Sequence, residues 1–159
     1  MRITTARNLV LEYLECDRPW EEMDRRKYSQ IGAAVRKVIE HHPSLEYKGR
    51  KKPLYHICEF SSAKQFLEKR GKHISGAVST SKTSDGLWAF YDEGRWGGDG
   101  QFLYKVKVEK DGIALDAHKF IKFSGEVSCE DRVISEKEVV VAPRSKADIS
   151  MYPETIDVK

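Results

Sequence analysis

The spacing of apolar residues changes along the chain from a helical period to an alternating one. Apolar residues within Asn8–Cys16 recur at the spacing that places side chains on one face of a helix. A second stripe of this kind runs through Ser29–His41, and Pro43 ends it. Trp20–Arg26 is expected to form a short helix between the two. The first third of the chain is therefore predicted to be helical.

From Pro53 onward the pattern is typical of β-strands. Apolar and polar residues alternate in Gln101–Glu109, which places every second side chain on the same face of a strand. One helix is predicted over residues 61–70, with a serine as its N-cap. The other expected strands are Leu54–Cys58, His73–Ser79, Ile113–Leu115, Phe120–Phe123 and Ile134–Ala142.

Together these patterns predict an α+β fold in two lobes. Residues 1–52 follow the order helix, helix, helix and then a short hairpin around Lys48-Gly49-Arg50, which is the order of a winged-helix domain. Residues 53–159 are expected to form a mixed, β-rich second lobe.

Positive charge is concentrated in the first lobe. The net charge of the chain is +3, and residues 1–53 hold 12 Lys and Arg against 8 Asp and Glu. This local excess favours an acidic partner, either nucleic acid or a protein associated with it. The alternative is that these charges are the solvated surface of a small packing domain. The predicted partner-binding residues are Arg36, Lys37, Lys48, Arg50, Lys51 and Lys52.

Cysteine usage and hydropathy favour a reduced, cytoplasmic protein. No segment approaches the ~20 apolar residues that cross a bilayer, and acidic residues interrupt the apolar part of the N-terminus. Cys16, Cys58 and Cys129 are odd in number and scattered, which indicates free thiols rather than a disulfide framework. We expect no membrane partner and no metal.

Three polar motifs follow one another in the β-rich lobe. Tyr55-His56 lies in its first strand, Ser79-Thr80-Ser81 ends a later strand, and Glu136-Lys137-Glu138 begins an apolar strand. This order resembles the ADP-ribosyltransferase superfamily, whose sites carry a first-strand Arg or His, a second-strand Ser-Thr-Ser and a late Glu-x-Glu. The resemblance covers residues 54–142.

The resemblance implies an enzyme that uses NAD as its substrate. Glu138 would stabilise the oxocarbenium-like centre that forms when the nicotinamide–ribose bond breaks. Glu136, expected on the same strand face, would activate the acceptor, and Ser79 would bind the nicotinamide-side ribose. The remaining NAD-binding residues implied are His56 at the adenosine ribose, Thr80 and Ser81 at the strand end, and Tyr55, Phe90 and Tyr91 near nicotinamide.

The acceptor implied by the resemblance is a macromolecule, with an arginine side chain of a protein favoured by the position of Glu136. His56 departs from this pattern, because the arginine-specific branch has Arg at that position. The branch that has His pairs it with Tyr, whereas this chain has Ser79 there. Such a mixture is compatible with an effector encoded by a phage or mobile element and acting in the host cytoplasm.

Two other interpretations use the same residues. RNA 2′-phosphotransferases resemble this chain in architecture, with a winged helix before an NAD-binding lobe that opens Leu-Tyr-His-Gly. Here Ile57 replaces that Gly, and Arg7-Asn8 stands where their Arg-His pair is expected. The third interpretation is a non-catalytic nucleic-acid-binding or protein-binding module, in which each polar motif is a structural feature of its strand.

Overall fold

One antiparallel sheet organises the part of the chain that the computed structural model describes: residues 1–49, 51–58, 62, 64–65, 76–87, 102–109, 111–125, 130–143 and 149–154. Within these ranges six strands pair in the order β4-β5-β2-β1-β3-β6. They are β1 Leu54–Cys58, β2 Val78–Ser81, β3 Phe102–Val108, β4 Ile113–Asp116, β5 Glu138–Ala142 and β6 Ile149–Glu154.

Helices precede the sheet in the chain and also connect β4 to β5. None of the described helices is long and apolar enough to cross a membrane. The helices are α1 Ile3–Glu15, α2 Pro19–Glu22, α3 Arg25–Tyr28, α4 Ile31–His41, α5 Ala117–Ser124 and α6 Glu130–Glu136, with a 3₁₀ turn at Pro43–Leu45. The two predicted amphipathic stripes are confirmed as α1 and α4, and an α+β fold class is confirmed with them.

The apolar faces of α1 and α4 pack against one face of the sheet. Leu14 and Val35 belong to the same buried cluster as Leu115 and Val140, which come from β4 and β5. One core is therefore built from residues on both sides of the predicted lobe boundary at residues 52 and 53. The division into a winged-helix-like lobe and an ADP-ribosyltransferase-like lobe stays a prediction.

Strand β5 is buried along its whole length because both faces of the sheet are covered. Val140 joins the helix-side cluster, whereas Val139 and Val141 join a second cluster on the other face with Tyr104 and Met151. Consecutive residues of a strand project to opposite faces, so a strand covered on both sides requires a continuous apolar run. The valine run of β5 satisfies this requirement.

The predicted basic hairpin is wrong for the residues that the structure describes in this segment. Glu46 forms an isolated antiparallel bridge with Leu115 instead, and the backbone N–H of Tyr47 donates to the Ala114 carbonyl at 2.8 Å. β4 is an edge strand with unpaired backbone groups, and residues 46 and 47 satisfy some of them. Arg50, at the expected tip, lies outside the described residues.

The strand predicted at Phe120–Phe123 is also wrong, since these residues belong to α5. The Asp116 carboxylate accepts a hydrogen bond from Lys119 N at 3.3 Å and caps the helix. Gly125 ends it with a φ of +71°, which glycine adopts without strain. The caps at both ends and the burial of Phe120 in the core shared with α1 and α4 therefore favour a helix, although the short apolar run predicts a strand.

Helix α4 approaches the start of β2 through two glycines. A Cβ placed on Gly32 would lie 2.3 Å from the carbonyl oxygen of Gly76, and backbone cannot yield as a side-chain tip can. Gly76 itself has a φ of +61°. This contact fixes the distance between the helical layer and the strand that carries the hydroxyl triplet.

We expect Gly32→Ala to destabilise the protein by about 1–3 kcal/mol, because its Cβ overlaps the Gly76 backbone. Helix propensity alone would make the same change stabilising by about 1 kcal/mol, so the sign of the effect distinguishes the two causes. Urea denaturation measures it. Ala33→Gly on the exposed face of α4 is the control for propensity. A more stable Gly32→Ala variant would show that the two backbones can separate.

Candidate functional site

The three strands that carry the predicted motifs are neighbours in the sheet. β2 lies between β1 and β5. Tyr55 is paired with Ser81, and Ser81 is paired with Glu138. Directly paired residues of antiparallel strands project from the same face, so these three side chains form one row across the sheet. Ser79 shares that face, two residues before Ser81 along β2.

The hydroxyl triplet forms the last three residues of a strand, as the sequence predicts. β2 includes all three hydroxyl residues. Thr80 Oγ1 donates to the Val139 carbonyl at 2.8 Å, and Ser81 Oγ donates to the Glu136 carbonyl at 2.8 Å. These two hydroxyls therefore fasten β2 to β5 and to the residue that precedes the turn into it.

Ser79 is held from two directions. Its hydroxyl is hydrogen-bonded to the Tyr13 hydroxyl, which reaches the sheet from α1. Its carbonyl oxygen lies 2.8 Å from His56 Nδ1. A carbonyl only accepts, so Nδ1 carries the hydrogen and donates in this bond. From the sequence, Tyr13 belongs only to the apolar face of a helix, because the spacing of residues does not show which group its hydroxyl contacts.

The turn after β2 packs closely against the turn before β5. Ser81 Oγ also accepts from Thr83 N at 3.3 Å, and Lys82 N donates to the Lys137 carbonyl at 3.0 Å. A Cβ on Gly86 would lie 2.3 Å from Ser81 Oγ and 2.5 Å from the Glu136 carbonyl oxygen. A larger residue at position 86 would therefore displace these groups, and sequence analysis did not identify this requirement for glycine.

The two glutamates do not share a strand face, and this prediction is wrong. Glu136 is the last residue of α6, and Glu138 is the first of β5. Lys137 between them has a φ of +51°, so the chain changes direction there. Both glutamates are buried, with 0% and 1% of their surface exposed. Fully buried glutamates are uncommon, which marks this turn as an unusual polar feature.

His56 and Tyr55 stand on opposite faces of β1, as consecutive strand residues must. Tyr55 is half-buried and packs beside Ile57, Leu87 and Leu103. An aromatic ring next to an apolar cluster is suited to contact with a planar ligand. His56 is buried, and its ring contacts the Ser79 carbonyl. Phe90 and Tyr91 lie outside the described residues.

An ion pair that sequence analysis did not find lies next to β2. Lys82 Nζ lies 3.0 Å from the Asp116 carboxylate and 5.9 Å from the centre of the Tyr47 ring. Burial raises the pKa of Tyr47, and the nearby Asp116 charge raises it further. Three segments far apart in sequence meet here, which no local motif could indicate.

The predicted partner-binding residues that the structure describes differ in exposure. Lys48, Lys51 and Lys52 are exposed in the segment before β1. Arg36 is half-buried on α4 and donates to the Pro143 carbonyl at 3.4 Å, while Lys37 beside it is also half-buried. Arg36 and Lys37 are therefore less exposed than the three lysines.

Comparison of the chain with models of protein families, with curated proteins and with solved structures finds no match in any of the three. Among the residues described here, no group of three or more His, Cys, Asp or Glu side chains could hold a metal ion.

The Tyr13–Ser79 bond should be measurable as a coupling energy. Each of the variants Tyr13→Phe and Ser79→Ala removes one buried hydroxyl and leaves the other hydroxyl of this bond without its partner. Each should lower the free energy of unfolding by about 1–3 kcal/mol. The double variant should lose less than the two single losses combined, by about 1 kcal/mol. Urea denaturation of the four proteins gives these values. Tyr28→Phe on the same core is the control. Additive losses would contradict the bond.

Proposed function

We propose that this chain is an ADP-ribosyltransferase, which cleaves NAD and transfers ADP-ribose to a macromolecule. An arginine side chain of a protein is the favoured acceptor. The observation that carries the proposal is the row formed by Tyr55, Ser81 and Glu138. It joins one residue from each of the three motifs in the superfamily's order, across strands that are distant in sequence and adjacent in the sheet.

Glu138 is the group we assign to stabilisation of the ribose cation. Its backbone is fixed by pairing with Ser81 on one side of β5 and it is almost completely buried. A carboxylate held away from bulk water is weakly screened, and its attraction to a developing positive charge is correspondingly strong. Because the strand already fixes its position, little reorganisation is needed during the reaction.

Ser79 and Tyr55 suit the two halves of the nicotinamide riboside. A hydroxyl can donate one hydrogen bond and accept two. When Tyr13 donates to Ser79, the Ser79 proton remains for a ribose hydroxyl or for a carboxylate on the same sheet face. The Tyr55 ring and its apolar neighbours Ile57 and Leu103 offer a surface for the nicotinamide ring.

Glu136 is the residue we assign to the acceptor. It is anchored by a helix rather than by the strand, and Lys137 separates it from Glu138 by a change of chain direction. Independent anchoring lets one carboxylate act on NAD while the other accepts a proton from the incoming nucleophile. The exposed lysines at positions 48, 51 and 52 are proposed to dock the target. The proposed place of action is the cytoplasm, of a host cell if a phage or mobile element encodes the chain.

The first test is NAD binding and cleavage by the wild-type chain. Calorimetry with NAD should show saturable binding, and NAD labelled in its adenine should transfer the label to protein in a cell lysate. Folded protein that binds no NAD at millimolar concentration would contradict the proposal. Removal of a 2′-phosphate from RNA without label transfer to protein would support the phosphotransferase interpretation instead.

Substitution of the two glutamates should separate cleavage from transfer. Glu138→Gln should lower both nicotinamide release and label transfer by about 10²–10³, because it removes the charge that faces the cation. Glu136→Gln should retain nicotinamide release and lose mainly transfer, because only the acceptor's proton is affected.

The matched control for these two variants is Glu40→Gln, at an exposed position on α4. It should change neither rate. If Glu136→Gln and Glu138→Gln reduce cleavage equally, the assignment of separate roles is wrong. Thermal unfolding of each variant shows whether lost activity reflects lost folding, which matters because both glutamates are buried.

A further inference from the structure

Helix α5 has an exposed face made only of basic and aromatic residues. Ala117, Phe120 and Ile121 are buried in the core that α5 shares with α1 and α4. Its acidic cap, Asp116, is buried and paired with Lys82. The exposed residues of its outer face are Lys119, Lys122 and Phe123, whereas His118 is half-buried.

Phe123 is held at the surface by cationic and aromatic neighbours. It remains 46% exposed although it touches two other segments of the chain. The Arg7 guanidinium of α1 lies 5.3 Å from the centre of its ring. The His42 ring lies 4.4 Å away with the planes inclined at 50°, and His41 follows at 6.3 Å from His42. Arg7 and His42 therefore both contact the ring, and part of the residue stays open to solvent.

Within the described part of the chain, the positive charges around Phe123 have no acidic partner. Arg7, Lys119 and Lys122 form no ion pair with any residue that the structure describes, whereas Lys27 and Lys82 do. Unpaired cations beside an exposed ring are complementary to a ligand that has both phosphates and planar bases. The sequence predicts the basic surface elsewhere, at Arg36, Lys37 and residues 48–52.

We propose that this surface binds a single-stranded polynucleotide. It is called the Phe123 patch, and its members are Arg7, His41, His42, Lys119, Lys122 and Phe123. Phe123 stacks on an unpaired base, and the two lysines with Arg7 contact neighbouring phosphates. These contacts use only bases and phosphates, so RNA and DNA strands bind alike. Binding requires no NAD, and this inference does not rest on the proposed enzymatic function.

A single strand fits the patch better than a duplex or an acidic peptide. Bases in a duplex are stacked on each other and expose only their edges, so Phe123 would have no ring face to contact. The carboxylates of an acidic peptide would pair with Lys119 and Lys122, but they provide no base to stack on the ring. The exposed ring is therefore the feature that selects among polyanions.

Fluorescence anisotropy with a short labelled oligouridylate and oligothymidylate tests the proposal. Phe123→Ala should weaken both by about tenfold, within the range of one base–aromatic stack, and Phe123→Trp should retain binding. Lys119→Gln and Lys122→Gln should each lower the slope of log affinity against log salt by about 0.7. The matched controls are Phe102→Ala and Lys107→Gln, which change an exposed ring and an exposed cation on β3.

Several results would overturn the proposal. One is the absence of binding by folded wild-type protein at about 10⁻⁴ M in low salt, where even non-specific polynucleotide binding is measurable. Another is an equal effect of Phe102→Ala and Phe123→Ala. Equal affinity for a duplex, or tighter Phe123-dependent binding of polyglutamate, would assign the patch to another polyanion. Phe123→Leu, which keeps apolar volume without a ring, replaces Phe123→Ala if that variant unfolds.

Discussion

The hydrogen bonding of strand β2 is the constraint on which the rest of the structure depends. Four residues, Val78–Ser81, join β5 and β4 on one side to β1, β3 and β6 on the other. So short a strand has few backbone hydrogen bonds, and its hydroxyls add three more attachments, to Tyr13, to the Val139 carbonyl and to the Glu136 carbonyl. The fold and the candidate site are therefore built from the same atoms.

Because the fold and the candidate site use the same atoms, a substitution in the site can change stability as well as activity. Ser81 Oγ binds the Glu136 carbonyl and receives Thr83 N, so its removal would loosen both turns at that end of the sheet. Lost activity in a Ser81 variant could then arise without any contact to a ligand. Glu138 differs, because its position is fixed by backbone pairing and its carboxylate is the charge that the proposed reaction uses.

The elements that the sequence predicts well are those whose pattern is local. Leu54–Cys58 and the stripes of α1 and α4 follow from apolar spacing alone. Phe120–Phe123 was predicted as a strand because two turns of helix contain too few positions to show their period. β6 was not predicted, since it contains Ser150 and Pro153 and is stabilised by pairing with β3. Lys137 adopts a left-handed conformation without glycine, so the sequence could not separate Glu136 from Glu138. The pairing of Tyr55, Ser81 and Glu138 depends on long-range register, which no motif contains.

Helix α1 is the physical link between the candidate site and the Phe123 patch. Arg7 lies over the Phe123 ring, and Tyr13, further along the same helix, bonds the Ser79 hydroxyl. At about 1.5 Å per residue the two contacts are roughly 9 Å apart along the axis, a distance over which a helix moves as one body. A ligand that shifts Arg7 by binding at the patch would shift Tyr13 as well. The coupling free energy between the two sites can be no larger than the difference between that ligand's binding free energies to the two positions of α1. By the same linkage, a ligand that changes the Tyr13–Ser79 bond would alter affinity at the patch to an equal degree.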